Sequence, residues 1–299
     1  WNDGQLKFTS SRGRIKKNIM KIIDNLRDGY EILKTSNISS YKIDCEILMS
    51  QTLNISREEV LLNLEKNVKK EEKERYFNLI NRRKKNEPIA YILKKKEFWK
   101  NNFFINKDVL VPRPETELIL EEILKITDIS SSKNILDIGT GSGCIIISIL
   151  KERPNCFATA IDISKKALKV AKYNAKIHHL ENKIKFIKID IDNFNHNKYD
   201  FIVSNPPYIK FSEINGLDRD VRCYEPKIAL SGGIDGLSKI KLVVSKSSNL
   251  IKKSGKLFLE VGSTQAREVI KILQIYGFYN NKVIKDLGKK NRCIISTKM

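Results

Sequence analysis

The chain of 299 residues is long enough for two domains, and with 41% hydrophobic residues it can bury a sizeable core, which excludes disorder as a whole. No run approaches the ~18 uninterrupted apolar residues of a membrane helix and the opening residues lack an apolar signal core, so a soluble, cytoplasmic protein without membrane contacts is expected; five scattered cysteines with no Cys-x-x-Cys pair argue against a disulfide framework and a zinc site, and no metal is expected. The net charge of +21 is spread, +9 over residues 1–100 (23 basic, 14 acidic) and +12 over the remainder (33 and 21); it fits either affinity for nucleic acid or the solvated faces of a Lys-, Ile- and Asn-rich sequence, the latter preferred because no basic run alternates with exposed aromatics.

Residues 1–19 show little periodicity, carry the basic patch Arg12–Lys17, and are set apart as an extension of uncertain origin. From Met20 the apolar residues Ile22, Ile23, Leu26, Tyr30 and Leu33 fall at helical spacing. Tyr41–Leu53 follows with Ile43, Ile47, Leu48 and Leu53 as its apolar positions, and Ser56 with Glu59 forms a capping box for the next helix. Glu71–Lys85 is a charged helix with Tyr76, Phe77, Leu79 and Ile80 as its buried stripe, stopped by Asn86 and Pro88. Residues 20–88 therefore read as a small helical domain for packing or docking, with no chemistry visible on it.

Short aromatic runs at Tyr91–Leu93, Glu97–Trp99 and Phe103–Ile105 predict a β-hairpin linker over 89–111. The prolines of Val111-Pro112-Arg113-Pro114 force an extended path, and a helix follows over Glu115–Lys125. Beyond Lys133 strand and helix patterns alternate, the mark of a parallel α/β sheet, so 112–299 is read as one α/β domain. Strands are predicted over 135–138, 157–161, 185–189, 201–203, 256–261, 283–286 and 292–296, with helices over 144–151, 165–178, 237–251 and 264–276. His178 and His179 are helix neighbours pointing about 100° apart and make a poor ligand pair.

Between the first strand and its helix lies Gly139-Thr140-Gly141-Ser142-Gly143, a turn whose backbone can approach a ligand closely. The dinucleotide fingerprint fails by one residue, because Cys144 stands where its third glycine belongs. Asp162 ends the second strand, where a carboxylate can accept from both hydroxyls of a ribose, and Asp190 ends the third. Taken singly, each acid could be a helix cap; at successive strand ends beside a glycine turn they favour a cofactor site. The fourth strand runs into Ser204-Asn205-Pro206-Pro207-Tyr208. Asn205 brings an amide, Pro206 a carbonyl and Tyr208 a ring, a set that suits a planar –NH2 group. A plain turn after a strand is the other reading, and the upstream glycine turn and acids decide against it.

The Asp-x-Gly-x-Gly-x-Gly run from Asp137 resembles the first motif of the Rossmann-like methyltransferases that bind S-adenosylmethionine. That resemblance implies a mixed, mostly parallel seven-stranded sheet, with Gly139, Thr140, Gly141, Ser142 and Gly143 around the methionine part of the cofactor. It puts Asp137 near the ammonium group, Asp162 on the ribose, Asp190 on the adenine amino group, Ile191 against the ring, and Asn205 beside both cofactor and substrate. Asn205–Tyr208 is similar to the motif of enzymes that methylate planar amines. Residues 20–299 as a whole resemble the protein-(glutamine-N5) methyltransferases of class 1 peptide chain release factors, through Arg82-Arg83, Asn86–Tyr91, Glu97–Trp99, Val111–Glu117 with its Arg-Pro-Glu-Thr-Glu segment, Asn205–Tyr208, Tyr224–Pro226 and Ala229-Leu230. Ile191 departs from the aromatic residue often found there. The resemblance implies a target glutamine in a Gly-Gly-Gln motif; catalysis by Asn205, Pro206 and Tyr208 and substrate contacts from these and Pro207 are expected, as are a monomer and no stable nucleic-acid binding. The alternative is an N6-adenine methyltransferase of DNA or RNA, against which stands the short span of 28 residues between Tyr208 and Leu237, with no room for a recognition domain.

Overall fold

The computed structural model describes residues 20–196 and 198–299, so the expected extension and its basic patch lie outside the described residues. The chain divides into two compact units, one ending at Lys85 and the other spanning Asn86–Met299.

The first unit contains α1 (Ile22–Lys34), α2 (Tyr41–Leu53), α3 (Arg57–Leu62) and α4 (Lys70–Lys84). The stripe of α1 buries Ile22, Leu26 and Leu33. Gly29 lies on the same side, where an added Cβ would stand 2.3 Å from the Tyr76 hydroxyl of α4, so only glycine allows this approach. Ser56 and Glu59 close the expected capping box on α3. In α2 the buried face matches the expected one only at Leu48. Cys45, Leu48 and Met49 are inside while Ile43 is 51% exposed. Apolar residues are spread around this helix, so periodicity does not select a side. Asp44 is buried with them and meets the Arg83 guanidinium at 2.6 Å.

The second unit opens on α5 (Ile89–Leu93), the hairpin strands β1 (Lys95–Phe98) and β2 (Asn101–Phe104), and, after a 3-10 turn at Pro114–Thr116, α6 (Glu117–Lys125). Tyr91–Leu93 is thus helical, and the hairpin occupies only the later part of 89–111. Pro88 caps α5, where its missing N–H costs nothing, and Lys94 ends the helix in the left-handed region. Next come β3 (Asn134–Ile138), α7 (Cys144–Glu152), β4 (Phe157–Asp162), α8 (Lys165–Ile177), β5 (Ile184–Lys188), β6 (Tyr199–Ser204), α9 (Arg219–Tyr224), α10 (Ser238–Leu250), β7 (Ile251–Glu260), α11 (Ala266–Ile275), β8 (Phe278–Lys285) and β9 (Asn291–Lys298).

The sheet has seven strands in the order β5-β4-β3-β6-β7-β9-β8. The first five are parallel and β9 runs antiparallel between β7 and β8, which is the mixed, mostly parallel sheet expected. One core packs α6, α7 and α8 on the sheet, and a second packs α10 and α11. The chain lays β4 and β5 to one side of β3 and β6 and β7 to the other. The order therefore reverses between β3 and β6, and a crevice opens at the carboxyl ends of these strands, the usual ligand position in open α/β sheets.

Candidate functional site

The crevice is a cleft of about 1250 Å³, solvent mouth included. Its floor is the glycine turn. Gly139, Gly141 and Gly143 take φ of 74°, 58° and 81°, the left-handed region open to glycine at little cost. A Cβ at Gly139 would meet nothing within 4 Å, and one at Gly141 only the Gly139 carbonyl oxygen at 3.9 Å, so their missing side chains leave backbone exposed to the cleft. Gly143 has another role: a Cβ there would stand 3.0 Å from Ile147 and 3.3 Å from Ala171, so it lets α7 close on α8. Thr140 and Ser142 line the cleft, and Gly143 does not.

Asp137 stands fully buried behind this turn. Its Oδ2 accepts from the Thr140 hydroxyl at 2.6 Å, while Oδ1 is buried with no hydrogen-bond partner among the described residues. Burial pushes its carboxyl up to about 7; the Thr140 hydrogen bond opposes this and the charge of Asp162 adds to it. Asp162 holds the turn in place. Its Oδ2 accepts from the Gly141 N–H at 2.9 Å and its Oδ1 from the Ser164 N–H at 2.8 Å. Burial raises its pKa and the two N–H groups lower it. Asp190 accepts from the Asp192 N–H at 3.1 Å and so caps the 3-10 turn that begins at Ile191; both residues line the cleft.

Across the cleft, β6 ends at Ser204, whose hydroxyl donates to the Ile138 carbonyl at 2.9 Å and ties the two strand ends together. Asn205, Pro206 and Pro207 line the wall beyond it. Tyr208 is not among the lining residues; its hydroxyl lies 3.3 Å from Glu260 Oε1 and its ring packs on the second core. Burial and the Glu260 charge raise the phenol well above its ordinary range, so it stays a proton donor. The loop 230–236 braces this segment: the Ile209 N–H donates to the Leu230 carbonyl and the Gly232 N–H to the Ile209 carbonyl. A Cβ at Gly232 would come within 2.8 Å of the Pro207 carbonyl and the Tyr208 Cα.

Comparison with known proteins adds to this geometry. Residues 24–93 match the family described as PrmC N-terminal domain, and residues 114–216 the methyltransferase small domain. The chain is similar to the release factor glutamine methyltransferase of Clostridium acetobutylicum, 38% identical over 93% of this chain and 99% of that protein. The corresponding protein of Clostridium botulinum is 39% identical over 93% of this chain and all of its own length. A bifunctional methyltransferase of Rickettsia bellii is 36% identical over 90% of this chain, which spans 53% of that protein. The chain belongs to the release factor glutamine methyltransferase family.

In this member of the family the cleft fits S-adenosylmethionine on two counts. Asp137 does not itself line the cleft, but behind the turn it keeps a carboxylate oxygen with no partner among the described residues, which suits an ammonium group, and backbone bared at Gly139 and Gly141 suits a ligand that must lie close. The structure also unites motifs that are far apart in sequence. Arg113 Nη2 meets Glu225 Oε1 at 2.5 Å, and the Val111 N–H donates to the other oxygen of Glu225 at 3.2 Å. Two residues of the site escaped the sequence reading as participants. Thr116 accepts from Asn205 Nδ2 at 3.2 Å and donates to Glu260 Oε2 at 2.6 Å. Glu260 closes the apolar run Leu257–Leu259, the same strand-end position as Asp162, and that signal could have flagged it.

Proposed function

We propose that this enzyme transfers a methyl group from S-adenosylmethionine to the side-chain amide nitrogen of the glutamine in a Gly-Gly-Gln motif of class 1 peptide chain release factors. What carries the reading is identity of 38–39% along nearly the whole length of proteins named for that activity. When bound, S-adenosylmethionine supplies a methyl group on a sulfonium sulfur, an electrophile for a nitrogen whose lone pair is delocalised.

The residues of the chain take the following parts. Asp137 and the turn Gly139–Gly143 hold the methionine end, Gly143 acting through the packing of α7. Asp162 binds the ribose, and Asp190 and Ile191 the adenine. Asn205 Oδ1 and the Pro206 carbonyl accept from the glutamine –NH2 and aim its nitrogen, Tyr208 supports that pocket, and Pro207 shapes its wall. No side chain need act as a base, because the amide proton can leave after transfer. Orientation is then the main source of rate and can supply ~7–11 kcal/mol. The helical unit docks the protein substrate. On this reading the enzyme works in the cytoplasm as a monomer and binds no nucleic acid stably; among the described residues no helix is long and apolar enough to cross a membrane. An adenine stacked in a duplex would have to be flipped out, and only the net charge of +21, which solvated lysine-rich faces explain as well, speaks for such a substrate.

The test offers release factor, its Gln→Ala variant, DNA and RNA in parallel with labelled cofactor. Label on the release factor alone is expected, falling at least ~10²-fold with Asn205→Ala, the scale of one preorganised polar contact. Label on nucleic acid, or equal label on the Gln→Ala variant, overturns the reading.

A further inference from the structure

Thr116, Asn205 and Glu260 are joined across three separate segments, and the chemistry of each group gives the chain of hydrogen bonds a direction. An ionised carboxylate only accepts, so Glu260 Oε2, at 2.6 Å, claims the single proton of the Thr116 hydroxyl. Thr116 then has only lone pairs to offer Asn205, and its partner at 3.2 Å is the amide nitrogen. With Nδ2 so engaged, the remaining end of the Asn205 amide is Oδ1, an acceptor. Thr116 and Glu260 are 3% and 2% exposed, so water does not compete for these bonds.

We propose that Thr116 and Glu260 are positioning residues that fix the sense of the Asn205 amide, keeping its oxygen available to the substrate –NH2 and its nitrogen turned away. The proposal rests on the assignment of Asn205 as the substrate's acceptor. An asparagine amide is nearly symmetric in shape, so its packing alone selects between the two ends poorly, and the wrong end would set a donor against a donor. The relay supplies the missing asymmetry.

A pH dependence follows. The groups around Glu260 are the Thr116 and Tyr208 hydroxyls, the Glu115 carboxylate, the Arg292 guanidinium and the thiols of Cys144 and Cys293. Burial pushes the Glu260 carboxyl up to about 7; both hydroxyls oppose this, Glu115 adds to it and Arg292 lowers it. Once protonated, the carboxyl can donate, the Thr116 proton is no longer committed, and the amide loses its fixed sense. Turnover should therefore rise with pH through about 7.

Two measurements test the relay. In nitrogen-15 spectra of the free protein, the side-chain –NH2 of Asn205 is the pair that vanishes in Asn205→Ala. We expect one of its protons to be protected from exchange and the pair to shift with pH near 7. Protection should be lost in Thr116→Val and kept in Thr116→Ser, and the shift should vanish in Glu260→Gln. In turnover with release factor, Thr116→Val should lower kcat roughly tenfold, about the worth of one hydrogen bond, with KM for both substrates little changed, and Thr116→Ser should recover most of it. With cofactor saturating, the acid limb of kcat near pH 7 should disappear in Glu260→Gln; at low cofactor a limb from Asp137, whose carboxyl is also pushed up to about 7, remains. An unprotected Asn205 amide in the wild type, an acid limb of kcat that persists at saturating cofactor in Glu260→Gln, or a Thr116→Ser variant whose kcat is as low as that of Thr116→Val, would each overturn the proposal. Should Thr116→Val not fold, the wild-type spectra and the serine and glutamine variants still decide. A wild type that leaves release factor unlabelled would instead defeat the functional assignment, while the spectra, which need no substrate, judge the relay by themselves.

Discussion

Two buried carboxylates show what the site costs the free enzyme. Asp137 has one oxygen without a partner among the described residues and a carboxyl pushed up to about 7. A pKa above its unfolded value means that the folded protein holds this proton more tightly than the unfolded chain. Stability from this source is full below the ordinary carboxylate range and is lost as pH rises through about 7. Asp137→Asn removes the buried charge and keeps an acceptor for Thr140. Urea melts at pH 8 should find the variant more stable by roughly 1–3 kcal/mol, with little difference at pH 5, while its cofactor affinity falls. Glu260 acts in the same sense, so the pH dependence should shrink without vanishing. Asp162 differs, since both its oxygens already accept backbone N–H groups. Asp162→Ala should weaken cofactor binding about 10- to 100-fold by calorimetry, through the lost ribose acceptor and the loosened glycine turn; an unchanged affinity would show that the ribose lies elsewhere.

Single side chains also hold whole elements. In the helical unit Arg83 of α4 reaches Asp44 of α2 at 2.6 Å, both nearly buried. Removing one partner of such a pair strands the other charge. Arg83→Ala should destabilise this unit by about 3–5 kcal/mol in denaturant melts, and joining it with Asp44→Leu should recover part of the loss. In the second unit, buried Asn174 of α8 donates to the carbonyls of Phe104 and Ser142 and accepts from the Phe104 N–H. It thereby links the hairpin, α8 and the end of the glycine turn, a support for the site from a residue outside the cleft.

The two units differ in content. Among the described residues the cleft is lined by the second unit, from Asp108 to Val243, and by none of the helical unit. The proposed division of labour follows, with chemistry in Asn86–Met299 and substrate docking in the helices. A protein consisting of Asn86–Met299 should retain cofactor affinity within about threefold, a loss below 1 kcal/mol, and should methylate intact release factor far more slowly than the full chain. Loss of cofactor affinity in a fragment shown to be folded would refute this division.

Short-range pattern was enough to place each of the seven strands, the capping box of α3, the glycine turn and the acids at or just beyond the strand ends, although β7 and β8 each begin five residues earlier than their apolar runs and Asp190 stands two residues past β5. These are local features: apolar period, turn chemistry and strand termination act over a few residues and survive wherever the segment lies. Pairings between distant segments could not be read this way. Thr116 and Glu260 are 144 residues apart, Arg113 and Glu225 are 112 apart, and Thr116 and Asn205 are 89 apart. Which acid meets which donor is settled when β3, β6 and β7 align and bring their carboxyl ends to one crevice. The buried face of α2 was decided in the same manner, by Arg83 drawing Asp44 inward against a helix whose own apolar residues point all ways.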